Sequence, residues 1–197
     1  MAIIRKIKTK EEIEKNKRIN QIVAGVIMIG LMIISTAGYA FFSRDGGSAK
    51  DLKFKYNGIE FAQQKSGLWG AKTSEGYAIS TAFNPKETEN ISISFPLNIG
   101  NFNKKPLFFS GNNQEASYEI LTNLLPFIER TQIVCLKGEN CSATMIQRDC
   151  GDNIIIFKEK ANNTNIYKNT NCIIIEAPYS EQRKAADRII FKIFGIQ

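Results

Sequence analysis

From Ile22 to Phe42 the chain reads IVAGVIMIGLMIISTAGYAFF, an uncharged run of 21 residues that as a helix spans about 31 Å, close to the roughly 30 Å hydrocarbon core of a bilayer. Every face of that run is apolar, which predicts a transmembrane helix and disfavours a core helix with one polar side. Tyr39, Phe41 and Phe42 fall where aromatic rings favour the headgroup region. Residues 43–50, with Arg44, Asp45, Gly46 and Gly47, have the composition of a linker. A cleavable signal peptide, with the small residues before Ala40 as its processing site, is the competing reading and exports the same remainder.

Beyond residue 51 the pattern changes to short alternations. Leu52, Phe54 and Tyr56 alternate with Lys53 and Lys55, Asn57-Gly58 supplies a two-residue turn, and Ile59 and Phe61 resume the pattern, so a β-hairpin is predicted. Further strands are predicted at 68–72, 77–83, 91–95, 107–109, 132–136, 154–158, 166–168 and 172–177. Asn113 caps a helix from Gln114 toward Arg130, with Ala116, Ile120, Leu121, Leu124 and Leu125 as its apolar stripe and Pro126 shortening it. A second helix starts near Ser180, carries Ala185, Ile189, Ile190, Ile193 and Phe194 on one side, and ends at Gly195. Strands with interspersed helices and no regular alternation predict an α+β domain over residues 51–197, its sheet mostly antiparallel and its second helix at the C-terminus.

Charge fixes the expected orientation. The formal net charge is +7, and residues 1–21 hold seven Lys/Arg against Glu11, Glu12 and Glu14, a local excess of +4. That basic tail before the apolar run predicts a cytoplasmic N-terminus and an external C-terminal domain in a single-pass cell-membrane protein. Thr9-Lys10-Glu11-Glu12 fits a helix-capping box ahead of the span. The remaining positive charge is dispersed, so no nucleic-acid groove is expected. The chain has no histidine, which excludes Ser-His-Asp and Cys-His triads and histidine-containing metal sites.

All four cysteines, Cys135, Cys141, Cys150 and Cys172, lie in the external part, and an even count in an oxidising compartment predicts two disulfides. There is no C-x-x-C motif. Three pairings are open, as is a tetrathiolate metal site. The preferred pairing is Cys135 with Cys141 and Cys150 with Cys172, because the first and third strands of a meander over 154–177 would start at the same end of the sheet. Asn90, Asn140 and Asn162 each begin a glycosylation sequon.

Trp69, the only tryptophan, stands in the glycine-flanked segment Gly67-Leu68-Trp69-Gly70 and is either an exposed anchor for a partner or a strand residue packed on the sheet. Asp149 and Asp152 flank Cys150 without the spacing of a calcium loop, and read better as a solvated turn. The pairs Glu87/Glu89 and Glu115/Glu119 read as structural, the second as acids complementing a helix N-terminus. No nucleotide-binding loop and no S-x-x-K element occurs.

Tyr56-Asn57-Gly58 with Glu60-Phe61, Cys150-Gly151-Asp152-Asn153, Asn171-Cys172 and the ending Ala186-Asp187-Arg188 to Phe194-Gly195-Ile196 together resemble an uncharacterised family of archaeal single-pass membrane proteins with a cysteine-containing extracytoplasmic domain. The resemblance covers most of residues 51–197 and implies no activity. The expectation is therefore a non-enzymatic binding or structural domain of the cell envelope. The bilayer holds it through residues 22–42, no cofactor is needed, and its partner is an envelope protein or extracellular ligand. The alternative is an envelope enzyme, hydrolytic or thiol-redox, whose site assembles only in the fold.

Overall fold

The structure, a computed structural model, describes residues 52–197 together with the helical positions Val23 and Met28. Apart from those two positions, the predicted tail, span and linker lie outside the described residues. Among the described residues no helix is long and apolar enough to cross a membrane. The chain divides into two units, Met1–Lys50 and Asp51–Gln197, and the second carries a four-stranded, a five-stranded and a two-stranded sheet with two α-helices.

The hairpin forms where the alternation predicts it. Strands β1 (Lys53–Tyr56) and β2 (Ile59–Gln63) pair antiparallel, and Asn57 and Gly58 take φ values of 46° and 85°, the positive angles that a tight two-residue turn requires. β3 (Trp69–Lys72) and β4 (Ala78–Thr81) extend the hairpin into a four-stranded antiparallel sheet in sequential order. β4 leads to a 3-10 turn, Pro85–Thr88, in which Asn84 and Glu87 form a reciprocal capping box. A second 3-10 turn covers Ile99–Asn101.

The larger sheet combines β5 (Leu107–Ser110), β6 (Thr131–Ile133), β9 (Ile154–Glu159), β10 (Asn165–Asn169) and β11 (Cys172–Ala177) in the order β10-β11-β9-β5-β6. Two short strands, β7 (Cys135–Leu136) and β8 (Gln147–Arg148), pair separately. The domain is α+β, but the expectation of a mostly antiparallel arrangement fails in the five-stranded sheet. There β5–β6, β5–β9 and β9–β11 run parallel and only β10–β11 is antiparallel. The reason is burial on both faces. Ile154 to Phe157 and Cys172 to Ile175 are continuous buried runs, the mark of strands covered above and below. The expected 91–95 strand is also absent: Ile91 and Ile93 are buried, but the segment joins no ladder, and the Ile91 carbonyl instead accepts from Arg188 Nε at 2.7 Å.

Helix α1 (Gln114–Leu124) is capped by Asn113, whose side chain accepts from the Ala116 amide at 2.9 Å, and stops two residues short of Pro126. Helix α2 (Tyr179–Ile193) ends at Gly195, φ 67°. Both helices cover the same face of the large sheet. Ala116, Ile120 and Leu124 of α1 join Ala185, Ile189, Ile190 and Ile193 of α2 over Leu107, Phe109, Ile155, Phe157, Ile173 and Ile175. From α2, Phe191 turns the other way and meets Phe61 edge-on, centroids 6.0 Å apart, in a second core with Ile79 and Ile196. Helix α2 is thus a layer shared between two sheets.

The outer face of the large sheet, with Phe108, Ile154, Ile156 and Ile174, is closed by Val134 and Cys172 together with the half-buried Leu136 and Cys150. These belong to a disulfide-tied excursion. Cys135 bonds Cys141 and Cys150 bonds Cys172, with Cα separations of 5.9 Å and 5.0 Å. The preferred pairing holds although the meander behind it does not: β11 lies directly beside β9, inserted between β9 and β10, and Cys172 registers with Ile154. Both arrangements start these two strands at one end.

Candidate binding groove

The edge strand of the large sheet, β6, is exposed at all three of its residues. Leu107 N–H donates to the Arg130 carbonyl and Val134 N–H to the Phe109 carbonyl, so the even-numbered positions 130, 132 and 134 turn their backbone groups toward β5. The N–H and C=O of Thr131 and Ile133 point outward, away from the sheet. Thr131 and Ile133 register with Leu107 and Phe109, which places their side chains on the helix-covered face.

Helix α1 does not reach far enough to cover them. Between it and β6 an open groove of about 340 Å³ remains, lined by Phe109, Gly111, Ser117, Tyr118, Leu121, Thr131 and Ile133, with Gln114 and Gln132 at its margins. None of these residues is charged. Tyr118 and Ile133 are 69% and 57% exposed, and Leu125, one turn on from Leu121, is 59% exposed. Gly111 shapes the floor: at φ 109° a Cβ there would stand 2.3 Å from the Phe157 carbonyl oxygen.

A wider depression of about 540 Å³ lies near the opposite edge of the sheet, lined by Asn90, Ile91, Lys160, Asn162, Asn163, Thr164, Asn165 and Glu181. It brings together Asn90 and Asn162, whose side chains are exposed; Asn140 lies apart on the disulfide-tied excursion and is also exposed. The depression is walled by hydrated polar groups and lacks the apolar lining that gives a pocket affinity.

The other residues singled out from the sequence have structural partners. Trp69 is half-buried and packs edge-on to Phe54, centroids 5.2 Å apart. Asp149 accepts from Lys137 Nζ at 2.7 Å and from Gly151 N–H at 3.0 Å, and these donors hold its carboxyl below the ordinary range. Asp152 pairs with Arg148 at 3.5 Å, while the Arg148 guanidinium lies 5.1 Å from the Phe108 ring centre. Glu87 caps its own turn. Among the described residues no cluster of three or more metal-ligating side chains occurs.

Glu119 is structural, but not as an acid that complements the helix N-terminus. It is 6% exposed, and its Oε2 accepts from Arg183 Nε at 2.8 Å and Nη2 at 2.7 Å. Asp187 of α2, fully buried, lies close enough to Glu119 for the two carboxyl groups to act on one another, and accepts from the Phe83 amide at 2.8 Å. Burial, and then the neighbouring Glu119 charge, push the Asp187 carboxyl well above the usual carboxylate range. The sequence does offer a signal for Asp187: it interrupts an apolar helical stripe, between Ala186 and Ile190.

No protein family matches the chain, and no curated protein or solved structure proves similar to it.

Proposed function

We propose that the chain is a membrane-anchored, extracytoplasmic binding domain of the cell envelope whose groove between α1 and β6 seats an extended, uncharged apolar segment of another envelope polypeptide. The observation that carries this reading is the coincidence of an unpaired strand edge with an open apolar trough on its inner side. A segment laid beside β6 hydrogen-bonds the outward N–H and C=O groups of Thr131 and Ile133, and its alternate side chains descend beside Tyr118 and Leu121. The absence of charge in the lining selects against acidic or basic segments, whose desolvation it would not compensate. Placement outside the membrane is supported by the apolar run at 22–42, the basic tail before it and two disulfides suited to an oxidising compartment. An envelope enzyme would need ionisable groups converging on a pocket. The groove's lining holds no carboxylate, amine or guanidinium, and Glu119 and Asp187 are buried away from it.

The test uses the full chain in lipid nanodiscs against a displayed library of extended peptides. Enrichment of uncharged peptides with alternating apolar residues is expected, with binding abolished by Ile133→Pro. That substitution removes an outward amide unused by β5, and proline is tolerated at such an edge. Tyr118→Lys should weaken the same peptides. Binding indifferent to both variants, or self-association of the chain through β6 in place of peptide capture, would defeat the proposal. Maleimide labelling of the cysteines in intact membranes checks the placement: protection lost only on reduction is expected, and ready labelling without reductant contradicts it.

A further inference from the structure

We infer that Glu119 and Asp187 form a proton-binding site that fastens α1 to α2, one proton being shared between the two carboxyl groups while Arg183 balances the remaining charge. The oxygen count leads there. Of the four carboxyl oxygens, Glu119 Oε2 is taken by Arg183 and Asp187 Oδ2 by the Phe83 amide. Glu119 Oε1 and Asp187 Oδ1 are both buried and, among the described residues, neither meets a donor. Two deprotonated groups would therefore oppose lone pair to lone pair in a water-excluded site. A single proton turns both orphaned oxygens into one charge-assisted O–H···O bond.

The charges agree with this count. With the proton, one net negative charge on the pair faces one guanidinium; without it, a second negative charge is buried with no counter-ion. Among the described residues the surrounding elements bring no second cation to neutralise it. Helix α1 adds only another acid, Glu115, 3.9 Å from Arg183. On α2, Lys184 lies 4.0 Å from Glu181, and Arg188 donates to the Ile91 carbonyl. The segment after β4 brings the Phe83 amide and the buried, unpartnered Thr81 hydroxyl. In the Pro85–Thr88 turn, Glu87 is committed to its own cap, and the adjoining Glu89 acts on Arg188.

Release of the proton sets α1 and α2 against each other. Because Ser117, Tyr118 and Leu121 on the outer side of α1 form one wall of the groove, the site makes the position of that wall depend on pH. Only this last consequence rests on the groove reading.

The experiment follows the full-length protein by infrared difference spectroscopy and by hydrogen exchange of the α1 amides, corrected for intrinsic rates, as pH is raised from about 5 to about 9. A protonated-carboxyl band that persists above the ordinary carboxylate range should be missing in Asp187→Asn, whose amide donates where the proton did. Exchange protection of α1 should fall by up to about tenfold per pH unit as the proton leaves, relative to β9, and the variant should flatten that response. Should Asp187→Asn fail to fold, Glu119→Gln supplies a donor from the other side and is read the same way. A wild-type spectrum without the band, or α1 protection that tracks β9 at every pH, overturns the inference. Neither readout involves a peptide, so the binding proposal stands or falls separately.

Discussion

Asn123 joins the two halves of the domain with a single side chain. It accepts from the Ser80 amide at 2.8 Å and donates to the Ser80 carbonyl at 2.8 Å, pairing with the edge of β4 as a neighbouring strand would, and its amide also donates to the Glu119 carbonyl. Asn123→Ala leaves both Ser80 groups without that partner. Ser80 is only half-buried, so water replaces part of the loss, and about 1 kcal/mol for each group is appropriate in place of the full penalty for a sealed one. The vacated space adds roughly 0.5–1 kcal/mol, and the better helix propensity of alanine returns about 0.5 kcal/mol. The net loss should be about 2 kcal/mol, a large share of the roughly 5–15 kcal/mol typical of a domain. Urea unfolding with the disulfides intact should show the midpoint lowered at unchanged slope, and the Ser80 amide should lose more exchange protection than the β9 amides. Asn123→Asp sharpens the test. It keeps the acceptor for Ser80 N–H but sets a carboxylate against two carbonyls, so it should cost more than alanine at neutral pH and recover at acid pH, where its hydroxyl can donate. A loss below about 0.5 kcal/mol for alanine, or Ser80 protection unchanged, refutes the role given to this side chain.

Gly111→Ala combines a backbone angle that L residues avoid with a contact against the Phe157 carbonyl, and should destabilise by about 3 kcal/mol or more in the same unfolding assay. Replacing Cys150 and Cys172 together by serine should cost about 3 kcal/mol, against about 2 kcal/mol for Cys135 with Cys141, because the sequence separations are 22 and 6 and chain entropy grows with loop length. Stability should fall as pH rises from near 4 through the raised folded-state value of Asp187, since the folded chain holds that proton more tightly than the unfolded one; Asp187→Asn should remove the decline. On the acid side the sign reverses. The Asp149 carboxyl is held down by Lys137 and the Gly151 amide, so its contribution is present above the unfolded value and is lost as pH falls through the folded one, an effect that Lys137→Met should reduce in a pH titration of the melting temperature.

Local chemistry was readable where it fixes local geometry. Asn57-Gly58 demands a tight turn, Asn113 a helix start and Pro126 a stop, and each acts within a few residues of itself. Alternation at 91–95 was misleading because it reports which side chains are buried, not whether the backbone has a strand beside it; Ile91 and Ile93 are buried as the pattern demands, yet Arg188 takes a carbonyl bond that a ladder would have used. The parallel core was present in the runs Ile154-Ile155-Ile156-Phe157 and Cys172-Ile173-Ile174-Ile175, whose lack of alternation reflects cover on both faces. The groove was not readable, because Tyr118, Leu121 and Ile133 belong to segments that only the packing of α1 beside β5 and β6 brings together. Glu119 looked like another helix-start acid because nothing local distinguishes it from Glu115; Arg183 and Asp187, 64 and 68 positions later, make the difference.

The shared helix imposes an order on how the domain can be completed. In the four-stranded sheet at the start of the domain Phe54 stacks on Phe61, but the buried residues that complete the core with Phe61 and Ile79 are Phe191 and Ile196 at the far end. The same helix seals Ile155, Phe157, Ile173 and Ile175 on its other side. A chain synthesised N-terminus first would therefore present two unfinished apolar surfaces until its last helical segment was available, and both would close in one event. During that interval the assembly depends on how soon the chain is completed more than on the strength of any single strand pairing.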